Sequence, residues 1–449
     1  MPRKLPSKLE KGHHPARLWK PHPDKPGRVI CGLSPRHCDI PEGGLGFCGV
    51  RRNQGGKLVS LNYGKLVRPT EEVIETEAVF HYAPGERTLS LGNIGCTMTC
   101  DFCQNWKTSQ ARLAEDKDIQ ESSPEELVDL ASRLGIRVIS WTYDDPVVWH
   151  EFVLDTARLA RKRGMKNLYK SAFFISPEGV AELLEVMDVF SISLKSLDPD
   201  FYAKHTGGRL RPVLDAIEQV HGSGRHLEIS NLLVTGRNDT LGESAKIARW
   251  MLDKLGPDVP LHYVRFHPDF RYTGVPRTSI PFMRKARLQA RGMGLEHVYL
   301  GNVLDEEGTD TLCECGETLV RRMGLCTDSR LDPEGRCPNC GRGSGITLLP
   351  PMTDDHPRPA KAERPPYKHH RDHVWEEDKL SVHVETTDDS PVFFAHLDGE
   401  GRSLNGLREA RGGRCMISRS HPRERLLRIF FKGEPPRILS LLDRAYYPL

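Results

Sequence analysis

The most informative stretch of the sequence is Gly95-Cys96-Thr97-Met98-Thr99-Cys100-Asp101-Phe102-Cys103-Gln104-Asn105-Trp106. Its three cysteines follow the spacing C-x3-C-x-F-C. Three thiolates this close can hold three irons of a [4Fe–4S] cluster and leave the fourth iron without a protein ligand. A ferredoxin-type loop would bring a fourth cysteine, and a zinc knuckle would bring paired C-x2-C motifs. The spacing therefore predicts an open-iron [4Fe–4S] cluster held by Cys96, Cys100 and Cys103.

Composition limits the possible partners and the compartment. The 449 residues carry 64 basic and 61 acidic side chains, a net charge of +3, so no bulk charge favours nucleic acid or an anionic membrane. The first 28 residues are basic and proline-rich but lack the apolar core of a secretory signal, and we expect a flexible or surface-wrapping arm. Twelve cysteines without such a signal indicate metal binding in a reducing cytoplasm. We expect a cytoplasmic protein without a membrane partner.

Strand-like and helical patterns alternate between residues 86 and 305. The strand-like runs are Thr88–Ile94, Val138–Tyr143, Asn167–Phe173, Val189–Leu194, His226–Val234, Leu261–Phe266 and His297–Gly301. One helix is announced by a capping box, Ser123-Pro124-Glu125-Glu126. Repeated strand–helix units predict a parallel sheet with its chemistry at the carboxyl ends of the strands. Six or seven units are too few for a closed eight-fold barrel, so we predict an α/β fold with a partial, laterally open (β/α)6-type TIM-like barrel.

The remaining sequence predicts four further regions. They are a basic arm and cysteine-rich segment at 1–85, a zinc-ribbon-like knuckle at 306–349, a proline-rich linker at 350–375 and a small α+β domain at 376–449. Four strand-like runs support the last domain: Leu380–Glu385, Val392–Leu397, Cys415–Ser418 and Leu426–Phe431. A terminal helix is predicted from about Pro435.

The knuckle contains two cysteine pairs, Cys313 with Cys315 and Cys337 with Cys340, each followed by glycine. Two such pairs are typical of a tetrahedral four-thiolate site. Zinc is favoured over a second iron–sulfur cluster, and Cys326 is a possible substitute ligand.

From Cys31 to Gly345 the chain resembles the radical SAM member of the AmmeMemoRadiSam system, a group related to pyruvate formate-lyase activating enzyme. The resemblance rests on the cysteine loop and on an N-terminal pattern with Cys31, Cys38 and Cys48, in which Ser34 stands where the family has a further cysteine. It implies that the open iron binds S-adenosylmethionine. The N-terminal cysteines are left with two interpretations, a further metal site or a structural loop.

The resemblance also implies the residues that bind the cofactor. Phe102 matches an aromatic residue near the adenine. Asp144 and Asp145, in Thr142-Tyr143-Asp144-Asp145-Pro146, match the segment that receives the methionine amino group, although a helix N-cap is an alternative role. Lys195 matches a lysine that can neutralise the cofactor carboxylate.

Three more strand-end residues follow from the same match. Ser193 replaces an aspartate of the relatives, and Ser171 lies in the segment where they have Thr-Asn-Gly-Phe. His267, in Arg265-Phe266-His267-Pro268, matches a histidine that faces the cofactor, and we assign it a catalytic and cofactor-binding role.

The leading hypothesis is an enzyme that reductively cleaves S-adenosylmethionine and uses the 5′-deoxyadenosyl radical to take hydrogen from a small-molecule, peptide or protein substrate. It implies a ferredoxin- or flavodoxin-type electron donor. One alternative is an activase of a glycyl-radical enzyme. The other is a non-catalytic iron–sulfur and zinc protein for electron transfer or scaffolding, against which the strand-end residues argue.

Overall fold

Two units make up the chain, residues 1–301 with 345–347 and residues 302–344 with 348–449. The computed structural model describes residues 4–303, 305–323 and 326–350. Further on it describes the segments 369–374, 381–385, 392–397, 403–410, 414–418, 426–431 and 437–440. Within these residues, no helix has both the length and the apolar character needed to cross a membrane.

The first unit is built around an eight-stranded sheet. Its strands are β1 (Thr70–Val73), β2 (Arg87–Leu91), β3 (Val138–Trp141), β4 (Lys166–Ser171), β5 (Val189–Ser193), β6 (His226–Leu233), β7 (Leu261–Arg265) and β8 (Val298–Gly301). Strands β2 to β8 are parallel, and β1 pairs antiparallel with β2. The order runs from β1 at one edge to β8 at the other. This mostly parallel sheet fits the predicted partial barrel, and the predicted strands agree with β2 to β8 within a few residues.

Helices follow the parallel strands. They are α1 (Pro124–Arg133), α2 (His150–Lys162), α3 (Pro177–Leu184), α4 (Leu210–Gly222), α5 (Leu241–Lys254) and α6 (Ile280–Gly292). The predicted capping box starts α1, since Ser123 Oγ accepts from the N–H of Glu126 at 3.2 Å and the Glu126 carboxylate accepts from the N–H of Ser123. Shorter helical turns span Ser7–Glu10, Ile74–Glu77, Trp106–Ser109, Asp116–Asp118, Pro146–Trp149, Pro199–Phe201, Tyr202–Thr206 and Glu306–Thr309.

The N-terminal segment is anchored against the barrel. Leu9 is fully buried in an apolar cluster with Val50, Leu61 and Ile94, and Ile94 belongs to the loop after β2. Burial of such side chains stabilises by about 1.5–3 kcal/mol each, so this part of the basic arm is fixed in place. The short strands here are His14–Pro15, Trp19–Pro21, Val29–Cys31, Asp39–Ile40, Arg51–Gln54, Lys57–Ser60 and Lys65–Leu66, and Gln120–Glu121 pairs with the last of them.

The second unit contains only strands besides the turn Glu306–Thr309, as far as the structure describes it. The knuckle has the antiparallel strands Thr311–Leu312, Thr318–Met323 and Cys326–Ser329. Two sheets follow, with the strands His369–Val374, Leu426–Phe431, Val392–Leu397 and Ser403–Ala410 in one, and Arg414–Ser418, Ser381–Glu385 and Arg437–Ser440 in the other.

Two predictions for this unit need correction. The helix predicted from Pro435 is wrong at Arg437–Ser440, which is a strand paired with Ser381–Glu385. Backbone hydrogen bonds to a neighbouring strand outweigh the local helical pattern there. The described part of the predicted α+β domain is therefore all β. Residues 369–374, predicted as linker, are also a strand, and residues 351–368 lie outside the described residues.

Candidate active site and metal centres

The cysteine loop lies directly after β2, at the carboxyl edge of the parallel sheet. Gly95 precedes the first cysteine with φ +97°, and a Cβ there would come within 3.0 Å of the Cys48 carbonyl oxygen and the Val50 side chain. Glycine is therefore required at the entrance to the loop. Burial raises the pKa of all three cysteine thiols, that of Cys103 to about 12. Burial alone thus favours the neutral thiols, and a bound metal would be needed to hold them as thiolates.

An arginine from the other side of the barrel fixes the loop. Arg237, which follows β6, donates to both carboxylate oxygens of Asp101 at 2.5 and 2.8 Å. The N–H groups of Thr99 and Asp101 donate to the carbonyls of Thr206 and His205 at 2.9 and 3.1 Å. A bidentate ion pair and two backbone hydrogen bonds thus fix the loop on both sides of Cys100.

Phe102 lies in the middle of this arrangement. Its side chain is 3% exposed and packs 6.0 Å from the Phe201 ring. The ammonium of Lys195 and the guanidinium of Arg237 lie 5.9 and 5.7 Å from its ring centroid, within the range of cation–π attraction. The aromatic residue predicted at the adenine therefore has two cations near its ring.

Asp145 is the most firmly held carboxylate of the site. It is fully buried, and its two oxygens accept from Thr97 Oγ1 and Ser171 Oγ, each at 2.6 Å. Burial raises the pKa of Asp145, while these hydroxyl donors lower it. Asp145 occupies the N-cap position of the helical turn Pro146–Trp149, and the N–H of Val147 also lowers its pKa. The N-cap role and a cofactor contact can therefore coexist at this residue.

Asp144 offers a second carboxylate at the same strand end. Thr108 donates to its Oδ1 at 3.2 Å, whereas its Oδ2 is buried and accepts no hydrogen bond from the described residues. Burial raises the pKa of Asp144 well above its usual value. Tyr143 and Asp144 have φ values of +52° and +53°, a strained conformation for two consecutive residues with side chains. Such strain is most often found at functional sites.

The neighbouring strand ends carry Lys195, Ser193 and His267. The carbonyl of Lys195 accepts from Asn238 Nδ2 at 2.7 Å and from Asn231 Nδ2 at 3.1 Å, which fixes the backbone from which its side chain extends. Ser193 Oγ lies 3.1 Å from Ser230 Oγ, so it takes part in an interstrand pair. His267 follows Phe266 after β7 and is half-buried.

Charge interactions connect these side chains with the cysteine loop. Lys195 acts on the pKa of Cys100, Cys103 and Asp145, in each case lowering it against the effect of burial. The sheet therefore brings together three thiols, a buried carboxyl and an ammonium at one edge. A carboxyl and an ammonium on separate strands suit the two charged groups of a bound amino acid.

The four knuckle cysteines converge in the second unit. Their sulfur atoms all lie within 4.8 Å of one another, with Cys313–Cys340 at 3.6 Å and Cys315–Cys337 at 3.7 Å. The N–H of Glu317 lowers the pKa of Cys315 to about 6. The pKa of Cys340 is raised to about 12 although Arg342 N–H donates to it, because neighbouring thiols lie alongside. The C-x-C spacing of the first pair thus still allows a four-sulfur site.

The N-terminal cysteines also come together. Cys31, Cys38 and Cys48 line one cavity of about 20 Å³, beside Ser34 and Thr97. Burial raises the pKa of Cys48 to about 12. These positions are compatible with either interpretation of the three cysteines, metal site or structural loop.

Sequence reasoning missed several polar residues of the site. The pairing of Arg237 with Asp101 and the hydroxyl donors of Asp145 join residues far apart in the chain. Inside the barrel, Glu77 accepts from Ser140 Oγ at 2.7 Å and from Thr142 Oγ1 at 2.8 Å. The signal for this network was the alternation of Ser and Thr with apolar residues along the strands.

Three thiols on the loop after β2 lie beside buried polar residues at the ends of the neighbouring strands. This arrangement is typical of barrel enzymes that use a cysteine-held iron–sulfur cluster. Residues 93–251 match the model of the radical SAM superfamily. An uncharacterized protein from Methanocaldococcus jannaschii is 38% identical over 324 residues, 72% of this chain and 96% of that relative. The chain therefore belongs to the radical SAM superfamily, an enzyme class whose members use a [4Fe–4S] cluster and S-adenosylmethionine.

More distant similarities are shorter. The pyruvate formate-lyase-activating enzyme of Listeria monocytogenes is 24% identical over 164 residues, which cover 34% of this chain and 64% of that enzyme. Among solved structures, a radical SAM methyltransferase from Sphaerobacter thermophilus has a TM-score of 0.40 at 15% identity, over 48% of this chain and 66% of that one.

Proposed function

We propose that this protein is a radical SAM enzyme that cleaves S-adenosylmethionine reductively and takes a hydrogen atom from a carbon of its substrate. When bound, the reduced cluster supplies the electron that splits the sulfonium into methionine and a 5′-deoxyadenosyl radical. The observation that carries the proposal is the position of the three cysteines beside Asp145 and Lys195 at the carboxyl edge of the sheet.

The residues of the site fit a [4Fe–4S] cluster and S-adenosylmethionine. Cys96, Cys100 and Cys103 supply three thiolates, one fewer than a closed four-iron cluster needs. The buried Oδ2 of Asp144 lacks a donor among the described residues, and an ammonium would supply one.

Each strand-end residue then has a stated task. Asp145, with Asp144, accepts hydrogen bonds from the methionine ammonium, and Thr97 and Ser171 keep its oxygens in place. Lys195 neutralises the methionine carboxylate.

The adenosine end of the cofactor has its own residues. Phe102 offers its face to the adenine, and Ser193 and His267 supply polar groups from β5 and the end of β7. On the family resemblance, His267 is the residue that we propose as catalytic.

An electron must come from outside, and a ferredoxin- or flavodoxin-type protein in the cytoplasm fits that need. An iron–sulfur protein that only transfers electrons does not need a buried carboxylate pair and a lysine at strand ends. These residues therefore argue against the non-catalytic alternative. We also propose the AmmeMemoRadiSam group as the subfamily, on the resemblance of the N-terminal cysteine pattern and the knuckle.

One alternative to a small-molecule substrate is specific, namely the backbone of a partner protein. The Listeria relative is a pyruvate formate-lyase-activating enzyme, and an open sheet edge gives room for a polypeptide loop. An activase would leave a stable glycyl radical on its partner, whereas the main proposal does not require one.

Zinc is the metal proposed for Cys313, Cys315, Cys337 and Cys340. A tetrahedral site with Zn–S of about 2.3 Å separates its sulfurs by about 3.8 Å. The pairs at 3.6 and 3.7 Å are close to that separation. Four thiolates fill the coordination of zinc, so this site has a structural task.

The decisive experiment is anaerobic reconstitution of the whole chain, followed by dithionite and S-adenosylmethionine. We expect a [4Fe–4S] signal and formation of 5′-deoxyadenosine, measured by mass spectrometry. Added protein partners should show no glycyl radical by EPR unless the activase alternative holds. A chain with a full cluster that binds the cofactor but releases no 5′-deoxyadenosine would refute the proposed reaction.

A further inference from the structure

The cavity between Cys31, Cys38 and Cys48 has features that the reaction at the barrel does not use. Strand Val29–Cys31 and the loop before Arg51 bring the three cysteines to one place, although 17 positions separate the first from the last. Cys31 N–H donates to the Cys38 carbonyl at 3.0 Å, which fixes two of them relative to each other. Convergence of three thiols on a cavity is what a metal centre needs.

Two cations face these thiols. Arg51 is 1% exposed and lies with Nη1 3.5 Å from Cys31 Sγ, and it is also paired with the buried Glu151. The Glu151 carboxylate balances the charge of Arg51, and Nη1 places a buried hydrogen-bond donor against the Cys31 sulfur. Such a donor suits a ligated sulfur, which is a better acceptor than a neutral thiol.

Arg36 is the second cation, and its hydrogen bonds leave its charge uncompensated. It is half-buried, donates to the carbonyls of Thr97 and Gly207 at 2.9 and 2.5 Å, and stacks 3.4 Å from the Phe47 ring centroid. Carbonyls and a ring are neutral partners, and Arg36 lines the same cavity. An anionic occupant of the cavity would balance it.

The spacing of the sulfurs indicates the kind of metal centre. Among the described residues, Cys313, Cys315, Cys337 and Cys340 form the set of metal-binding side chains whose ligand atoms all lie within 4.8 Å of one another. Among the same described residues, neither the N-terminal cysteines nor Cys96, Cys100 and Cys103 form a group that close. One zinc ion needs sulfurs about 3.8 Å apart, whereas a cluster of several irons spreads its ligands further.

We propose that Cys31, Cys38 and Cys48 hold a second iron–sulfur cluster. Ser34 lines the same cavity and is the candidate for the coordination position without a thiolate. Phe47 N–H donates to Cys38 Sγ at 3.5 Å and Arg51 to Cys31 Sγ, the kind of hydrogen bonds that stabilise ligated sulfur. The centre lies against the catalytic loop, because the Cys48 carbonyl meets Gly95 and Thr97 lines the cavity.

The test measures iron, labile sulfide and zinc per chain in the full-length protein after anaerobic reconstitution. The variant with Cys96, Cys100 and Cys103 all changed to alanine should keep about two to four irons per chain. Those irons should disappear when Cys31, Cys38 and Cys48 are changed to alanine in the same chain. Cys415→Ser is the matched control, since this cysteine stands alone in the sequence and should bind no metal.

Two results would overturn the proposal. One is a Cys96/Cys100/Cys103 variant that retains zinc at the knuckle but binds no iron; this variant decides the question even where loss of the N-terminal cysteines prevents folding. The other is a second zinc in place of iron, lost with Cys31, Cys38 and Cys48. Adding Ser34→Cys to the Cys96/Cys100/Cys103 variant should change its Mössbauer spectrum, because the new thiolate would ligate the iron that has no cysteine ligand. Metal content and the Mössbauer spectrum do not depend on cleavage of S-adenosylmethionine. The proposal of a second cluster can therefore be tested even if the reaction proposed above proves wrong.

Discussion

The cysteine loop of the barrel and the knuckle of the second unit use the same ligand atom in opposite surroundings. In the loop, Cys100 is buried and Cys96 and Cys103 are half-buried, at a strand end beside carboxyls and a lysine. Four thiols of the knuckle lie in two close sulfur pairs, and Cys315 and Cys340 are exposed. The difference teaches that ligand number and neighbours, rather than cysteine content, separate the proposed catalytic centre from the proposed structural one.

Hydrogen bonds make the same distinction. The knuckle is held by hydrogen bonds between backbone groups that are close in sequence. Cys337 N–H donates to the Arg342 carbonyl at 2.8 Å, and Gly341 N–H donates to the Cys337 carbonyl at 2.9 Å. The barrel loop is held by side chains from distant strands, with Arg237 on Asp101 and Thr97 on Asp145. A local site can form on its own, whereas the loop needs the completed barrel.

Removing the loop thiols should have the largest effect. With Cys96, Cys100 and Cys103 all changed to alanine, we expect complete loss of 5′-deoxyadenosine formation, because no ligands for the catalytic cluster remain. The melting temperature should change little in the apoprotein. Mass spectrometry of the product and calorimetry measure the two quantities. Undiminished 5′-deoxyadenosine in this variant would end the catalytic assignment.

Removing knuckle thiols should do the reverse. Cys337→Ser with Cys340→Ser should lose one zinc per chain and lower the melting temperature by roughly 10 °C, because metal binding and folding are coupled in four-thiolate sites. Molecules that remain folded should retain the catalytic cluster. Elemental analysis and calorimetry check this, and a loss of iron in place of zinc would make the knuckle an iron–sulfur centre.

A single cation of the barrel site should have an intermediate effect. Lys195→Ala should weaken S-adenosylmethionine binding by roughly 1–3 kcal/mol, or about 5- to 150-fold, because a charge-assisted contact to the carboxylate is lost. Titration of the reduced-cluster EPR signal measures the affinity. Lys107→Ala, an exposed lysine just after the cysteine loop, is the matched control. Equal affinities in the two variants would remove Lys195 from the cofactor site.

The smallest effect is expected from a hydroxyl that supports Asp145. Ser171→Ala removes one donor that lowers the raised pKa of this carboxyl, so the pKa should rise further. The protonated carboxyl cannot pair with an ammonium, so affinity for S-adenosylmethionine should fall about two- to fivefold, most strongly as the pH is lowered. Affinity measured across a pH series tests this, and a loss independent of pH would indicate a purely steric role for Ser171.

Local patterns predicted the parallel strands and the start of α1 well, because buried apolar runs and the Ser123–Glu126 box depend on neighbouring residues. They failed for Arg437–Ser440, whose strand depends on a partner more than fifty positions earlier. The same limit explains the site. Asp145 could be singled out at a strand end, but its hydroxyl donor Thr97 and the partner of Asp101 come from other loops and left no local pattern.

The linear strand order has a consequence for the timing of assembly. Each parallel strand pairs with the one made just before it, so the sheet can grow in step with synthesis of the chain. The cysteine loop follows β2 and emerges early, yet Lys195 follows β5 and Arg237 follows β6. Most of the sheet must therefore be in place before the loop is held in its final form, so the proposed cluster site would be completed only after β6 has joined the sheet.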